Sequence, residues 1–306
     1  MGTTYAVKLY AADGALDSGA LQSQVDELLE NINDQMSTWR PDSELSRFNE
    51  SQGPDWFPVS SETARVVEAA AAVSELSGGA FDVTVGPIVN LWGFGPERSD
   101  AGPPSDQTIG ATLKRVGYRK IEVRASPSAL RKHDPGVYVD LSAIAKGFAV
   151  DAIARLLDER QIPSYLVEIG GELRARGSKP DGSPWKVAIE RPLPGERSIQ
   201  AVMALHDNAI ATSGDYRNYV EKGGKRYSHT INPRTGRPIT HGLASVSIIA
   251  SSAMRADALA TAIMVMGPKE GYRLALREGL AAQLIIRTEG RFQAQATWQF
   301  ERNVLR

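Results

Sequence analysis

The chain has 306 residues, 42% of them hydrophobic and 23% charged, with 35 Lys and Arg against 36 Asp and Glu and a net charge of −1. That is an ordinary globular composition, long enough to bury a core without disulfide or metal staples. The near-neutral charge argues against a nucleic-acid binder, and the absence of cysteine excludes thiolate metal sites, iron–sulfur clusters, disulfides and a thiol nucleophile.

The first residues, MGTTYAVKLYAADG, alternate, with Tyr5, Val7 and Leu9 on one side, and read as a half-buried strand. They carry neither the basic start nor the long apolar stretch of a leader, and no run of about 18 apolar residues spans a membrane. Leu21, Val25, Leu28, Ile32 and Met36 predict an amphipathic helix over 18–35, and Val66, Ala70, Val73 and Leu76 a second over 61–77, stopped at Ser77-Gly78-Gly79. Residues 95–107, rich in Pro, Gly, Ser and Asp, read as an exposed loop. Strands are predicted at 119–124, 137–141, 164–169, 185–191, 199–206 and 208–212, with a helix starting near Ser142. A strand at 244–250 precedes a helix at 253–265, and Pro268 fits the first turn of another, to about 278. Strands at 281–287 and 291–300 close the chain. Strands and helices mix without regular βαβ alternation, which favours an α+β fold over a doubly wound sheet.

Five segments stand out, each with a plain structural account beside a functional one. In Met36–Asn49, a helix end, a Pro-Asp turn and a short second helix explain the spacing, while Trp39 could stack on a planar ligand. Gly78–Gly95 interleaves glycine and proline with aromatics, as an irregular packed connection or as backbone that a ligand approaches closely. In Val139–Asp151 an apolar stretch ends at Asp140 and a helix follows. Its free N–H groups suit a phosphate, and Lys146 in its first turn is either solvated or neutralised by that phosphate. Tyr227–Gly236 holds a turn, Asn-Pro-Arg-Thr-Gly, and just before it His229, one of four histidines, structural or catalytic. In Ala256–Thr261, Asp257 and Thr261 share a helix face, a capping pair or the ligands of a hard cation such as Mg2+.

Taken together, in order and spacing, these segments resemble the FAD:protein FMN transferase (ApbE) family, from Met1-Gly2-Thr3 through Glu168-Ile169-Gly170-Gly171-Glu172 to Ala256–Thr261. The resemblance covers essentially the whole chain and implies one catalytic domain, residues 1–306, of α+β class. Mixed and antiparallel sheets would be flanked by helices, with the flavin site between lobes. It implies a reaction in which FAD, bound with Mg2+, gives its FMN half to a Thr or Ser hydroxyl of a partner protein and releases AMP. By the same resemblance Asp257, Thr261 and the carbonyls of Ala143 and Ala260 would hold the metal. Met1, Ala80, Phe81, Asp82, Asp140, Lys146 and Ile231 would contact FAD, Trp39 would cover the flavin, and Glu168 would meet the adenosine. His229 and Asp257 would be catalytic, His229 by deprotonating the acceptor hydroxyl. Asn232 stands where Asp is frequent in the family, a turn variant, and Asp181–Trp185 reads as a hairpin turn.

Two other readings keep the same pocket: a Mg2+-dependent FAD pyrophosphatase giving FMN and AMP, and a non-catalytic flavin carrier. Family members normally carry a secretion signal and a lipid-anchor cysteine before the Met-Gly-Thr segment. The expectation is therefore an exported, periplasmic protein, held at the inner membrane by a lipid on a removed N-terminal segment. Its acceptors would be membrane electron-transfer subunits bearing an Asp/Ser-Gly-Ala-Thr/Ser-like motif.

Overall fold

The computed structural model describes the chain apart from residues 1, 12–15, 97–102, 194–197, 216–218, 223–224, 289–290 and 306, and apart from the side chains of 219–222 and 225–226. In chain order the elements are β1 (Tyr5–Tyr10), α1 (Ser18–Met36), α2 (Glu44–Glu50), β2 (Phe57–Pro58), α3 (Ser61–Leu76), α4 (Gly86–Trp92) and α5 (Asp106–Leu113). Then come β3 (Ile121–Ala125), β4 (Ser128–Lys132), α6 (Ala145–Glu159), β5 (Ser164–Ile169), β6 (Glu172–Arg176), β7 (Trp185–Glu190), β8 (Ile199–Leu205) and β9 (Ala209–Gly214). The last third holds β10 (Tyr219–Lys222), β11 (Lys225–Ser228), β12 (Ile231–Asn232), β13 (Arg237–Pro238) and β14 (Leu243–Ala250). It closes with α7 (Ala253–Arg277), β15 (Ala281–Thr288), β16 (Arg291–Ala296) and α8 (Trp298–Glu301).

The centre is a seven-stranded antiparallel sheet in the order β1-β5-β6-β9-β14-β15-β16. Side chains alternate along its strands, so each strand feeds two cores. Tyr165, Val167, Ala211, Val246 and Ile248 point into the large core with α1, α3, α6 and α7. Leu166, Ala175, Ile210 and Ile249 point the other way, onto the β7–β8 pair and Phe300 of α8. A third core, Ile88, Trp92, Ile109 and Ile231, joins α4 and α5 to β12. This is the α+β class expected.

Local chemistry sets the element ends. Asp17, Ser43, Ser60 and Ser252 cap α1, α2, α3 and α7 by accepting backbone N–H bonds. Gly170 and Gly171, at φ 62° and 107°, make the two-residue turn between β5 and β6 that other residues would strain to adopt. A break at Gly267 divides α7, and Pro268 starts its second half, as expected from the sequence.

Several expectations change. Residues 137–141 form no strand. They run extended with the amide side chain of Asn49 in place of a neighbouring strand: it accepts from Val139 N–H at 2.7 Å and donates to Val139 C=O at 2.9 Å. The buried Lys132 ammonium, donating to the carbonyls of Asn49, Pro135 and Val137, fastens the same region. The helix expected from Ser142 starts at Ala145, after a turn closed by Ile144 N–H on Leu141 C=O. Residues 97–102 of the loop read at 95–107 lie outside the described residues, and α5 begins at Asp106 within it. The last strand stops at Ala296 because the Thr297 hydroxyl turns inward, accepting from Ala282 N–H and donating to Leu280 C=O. Asp181–Trp185 is a turn but not a hairpin: β6 belongs to the large sheet, whereas β7 pairs with β8.

The tightest crossing is that of α6 with the start of α7. A Cβ on Gly147 would fall within the contact shell of the Ala253 carbonyl and the Met254 Cα, both backbone. Gly147→Ala should therefore lower stability by about 1–3 kcal/mol through overpacking, read as a fall in thermal midpoint. An unchanged midpoint would disprove the close crossing.

Candidate active site

A cavity of about 920 Å³ opens where β5 and β9 end and β1 and β6 begin. It gathers residues scattered through the whole sequence. Trp39, Ala80, Phe81, Asp82, Asp140, Ala143, Lys146, Glu168, His229, Ile231, Asp257 and Thr261 all line it. Ala260 is fully buried one residue before Thr261 and is not part of the wall, and Met1 lies outside the described residues.

The charged floor comes from the α6–α7 crossing and the β5–β6 turn. Lys146 Nζ lies 2.9 Å from Glu172 Oε1 and 3.7 Å from Asp257 Oδ1. Gly147 N–H donates to Asp257 Oδ2 at 3.1 Å. Burial raises the Asp257 carboxyl above its ordinary value, against the pull of Lys146. Burial, and then the neighbouring Asp257 charge, push Glu172 up to about 8. Burial disfavours the Lys146 ammonium, but Asp257 and Glu172 outweigh it and hold the lysine above its usual range. One ammonium thus faces two carboxyl groups where water is scarce. Burial disfavours ionising both carboxyl groups together, and a further cation would favour it. Glu172 Oε2 is buried with no hydrogen-bond partner, which marks the same deficit.

Oxygen donors surround this deficit. One turn beyond Asp257, Thr261 Oγ1 lies 3.1 Å from Ser213 Oγ, and Ser142, Ala143 and Thr212 complete the wall. Among the described residues no group of three His, Cys, Asp or Glu could hold a metal. The start of α6 is less open to an anion than its sequence predicts. Three of its first four amides, those of Ala145, Gly147 and Phe148, are met by Leu141 C=O, the Asp257 carboxylate and Ile144 C=O, so Lys146 is the residue left to meet a phosphate.

The apolar end is built from Trp39, Phe81, Val89, Phe94 and Ile231. Trp39 follows α1 at the rim and is 57% exposed. The Phe94 ring stands edge-on to the His229 ring, centroids 6.4 Å apart. Two long-range bonds fix the turn after His229: Trp92 Nε1 donates to Gly236 C=O at 2.8 Å, and Arg234 donates to Gly78 C=O at 2.5 Å. The first ties the turn to α4, and the second ties it to the Gly78–Asp82 stretch. The Asp82 carboxylate accepts from Thr84 N–H, Thr84 Oγ1 and Tyr118 N–H, so it shapes this wall from within. Asp140 similarly accepts from Ser142 N–H and Oγ.

Sequence reasoning missed Glu172, Ser213 and Asp151. Glu172 could have been found as the first residue after the Gly-Gly turn, opposite a helix-start lysine. Ser213 carries no local signal. Asp151 stands four residues after Gly147, on the same face of α6. It accepts from Ala253 N–H and Met254 N–H at 3.0 Å each and from Ser252 Oγ at 2.8 Å, and it pairs with Arg174 at 2.6 Å.

The chain matches the ApbE family over residues 1–284. It is 47% identical to the FAD:protein FMN transferase of Vibrio cholerae, over 98% of this chain and 90% of that one. It is 41% identical to the FAD:protein FMN transferase of Escherichia coli, over 98% and 86%. The solved flavin transferase ApbE from Vibrio cholerae superimposes with a TM-score of 0.92 at 46% identity, covering 99% of this chain and 96% of that one. The apo flavinyl transferase ApbE of Pseudomonas stutzeri gives 0.90 at 39% identity, covering 99% and 94%.

Asp151 places the start of α7, and with it Asp257. Asp151→Ala would leave two helix N–H groups unmet and take the partner from the half-buried Arg174 guanidinium, a loss of about 1–3 kcal/mol for each unmet buried donor. Chemical denaturation of the variant beside the wild type checks this value, and a loss under 1 kcal/mol would remove Asp151 from its anchoring role.

Proposed function

The chain belongs to the ApbE family and is a flavin-transferring enzyme that takes FAD as substrate and a protein as acceptor, and from this premise we propose that it moves the FMN half of FAD onto a Thr or Ser hydroxyl through a phosphoester bond, with Mg2+ required. The observation that carries this reading is the convergence of Lys146, Asp257, Glu172 and Thr261 with His229 in one cavity that also has an aromatic end.

The donor set fits a hard cation. It offers the Asp257 carboxylate, the Thr261 hydroxyl and the Ala143 carbonyl, with the unpartnered Glu172 Oε2 supplying charge nearby. Few protein ligands and several sites left for phosphate oxygens suit Mg2+. When bound there, it would neutralise charge on the diphosphate. The remaining work falls to the chain itself. Trp39 and Phe94 cover the isoalloxazine, Ala80–Asp82 and Ile231 hold its edge, and Glu168 faces the adenosine end. Lys146 pairs with a phosphate oxygen and holds the diphosphate in line for attack. His229 takes the proton of the acceptor hydroxyl as its oxygen bonds to the FMN phosphorus. The bond from that phosphorus to the bridging oxygen breaks, and AMP departs with the oxygen. We propose with it that the enzyme works in the periplasm, lipid-tethered at the inner membrane beside electron-transfer acceptors. Among the described residues no helix is long and apolar enough to cross a membrane.

The test is incubation with FAD, Mg2+ and an acceptor domain or peptide carrying an Asp-Gly-Ala-Thr motif. A fluorescent, covalently labelled acceptor is expected, and chelation with EDTA should abolish labelling. His229→Ala should cut the transfer rate by about 10²–10⁴-fold, the span of a lost catalytic acid–base group, and Asp257→Ala should abolish transfer by removing the carboxylate that would hold the metal. Full activity in both variants would sink the mechanism. FMN released in wild-type reactions at equal rates with and without acceptor would favour the pyrophosphatase.

A further inference from the structure

Five successive residues of β7, Lys186 to Glu190, line the cavity. Side chains of a strand point alternately to opposite faces, so a wall of successive residues is a strand met edge-on. The direction of the backbone groups follows from the far side of the pair. Ala204 N–H donates to Asn303 C=O, Leu305 N–H donates to Val202 C=O, and Met203 bridges Val304. Val202 and Ala204 therefore point outward from β8, and its outer edge is covered by the C-terminal segment. In an antiparallel pair the bonded and unbonded positions alternate. Trp185, Val187 and Ile189 then bond to Leu205, Met203 and Ala201, and the N–H and C=O groups of Lys186 and Ala188, opposite Ala204 and Val202, point away from β8. Both residues are exposed, and among the described residues no other strand pairs with β7.

An unpaired strand edge is a template for another strand, and here it borders the cavity into which an acceptor hydroxyl must be delivered. We propose that the outer edge of β7 docks the acceptor polypeptide in extended form, by strand addition at Lys186 and Ala188. The main chain would supply affinity, and the strand geometry would carry the reacting residue into the cavity. Two lysines near this edge, Lys186 itself and Lys8 of β1, line the cavity and stand in no ion pair among the described residues. A lysine on an edge discourages pairing with a like edge, and the two together favour an acidic segment. This inference rests on the transfer reading above.

Ala188→Pro removes the outward N–H while leaving the β7–β8 ladder intact, a place where an edge strand tolerates proline. With the Asp-Gly-Ala-Thr peptide as acceptor, the expected result is a KM for peptide raised about tenfold or more, which corresponds to about 1.4 kcal/mol. The kcat and the FAD affinity, read by flavin fluorescence, should stay within about twofold, since docking lies apart from the chemistry. Lys186→Glu should raise the same KM and flatten its dependence on salt. In the His229→Ala enzyme, which holds the peptide without reacting, deuterium exchange at 186–188 should slow when the peptide is added. An unchanged KM in folded Ala188→Pro, or exchange at 186–188 unaffected by peptide, overturns the proposal. If Ala188→Pro does not fold, the Lys186→Glu kinetics and the exchange measurement decide it. A wild type that labels no acceptor would overturn the transfer reading instead, and the exchange measurement would still report on docking.

Discussion

The structure turns on the grip of α6 on the first turn of α7. Gly147 removes the side chain that would keep the two backbones apart, and Asp151, one turn later, takes up the N–H groups at the α7 start. A helix N-terminus buried without such partners would be costly. Here one carboxylate satisfies it and also matches the dipole. The consequence reaches the site, because α7 carries Asp257 and Thr261 and α6 carries Lys146. Gly147 itself donates to Asp257, so the helix crossing and the charged floor are one construction.

That floor is unbalanced by design of its parts. A chain of net charge −1 has no broad basic field with which to hold an anionic dinucleotide. It holds instead a small buried cluster in which Lys146 is outnumbered by Asp257 and Glu172. Such a cluster is poorly satisfied alone and well satisfied by a divalent cation carrying phosphate oxygens. In the proposed reaction, binding energy would be concentrated at the diphosphate, where the bond to be broken lies, while the aromatic end would orient the flavin without charge.

The cavity sits where the sheet meets the helices and the β7–β8 pair, so strand residues and the loops and turns that the sheet positions share its walls. The Asn49 side chain does for residues 137–141 what a strand would do elsewhere, and it leaves Asp140–Ala143 free to turn into the site. The histidine loop is tied from outside by Trp92 and Arg234. The β7–β8 pair completes the wall as a separate unit, closed by the C-terminal segment on one side and open on the side that faces the cavity.

Periodicity and turn chemistry determined most helices and strands from the sequence alone, because caps, glycine stops and alternating burial act over a few residues. Met36, Val66 and Ile32 are buried as their spacing demands. The five chemical segments were legible as residue types in order, and their resemblance to a family pointed to their roles. What the sequence could not carry were contacts between distant positions. Asn49 against Val139 stands in for a strand, Thr297 ends one, Glu172 of β6 meets Lys146 of α6, and Ser213 of β9 meets Thr261 of α7. Local propensity is blind to these because each depends on groups brought together only when the two helices cross and the sheet closes beneath them. The sequence by itself therefore determined most of the longer elements and the chemical inventory. The tertiary structure decided which carboxylate oxygen lacks a partner, which amides are already taken and which strand edge faces the cavity, since burial and hydrogen-bond pairing exist only once distant segments pack.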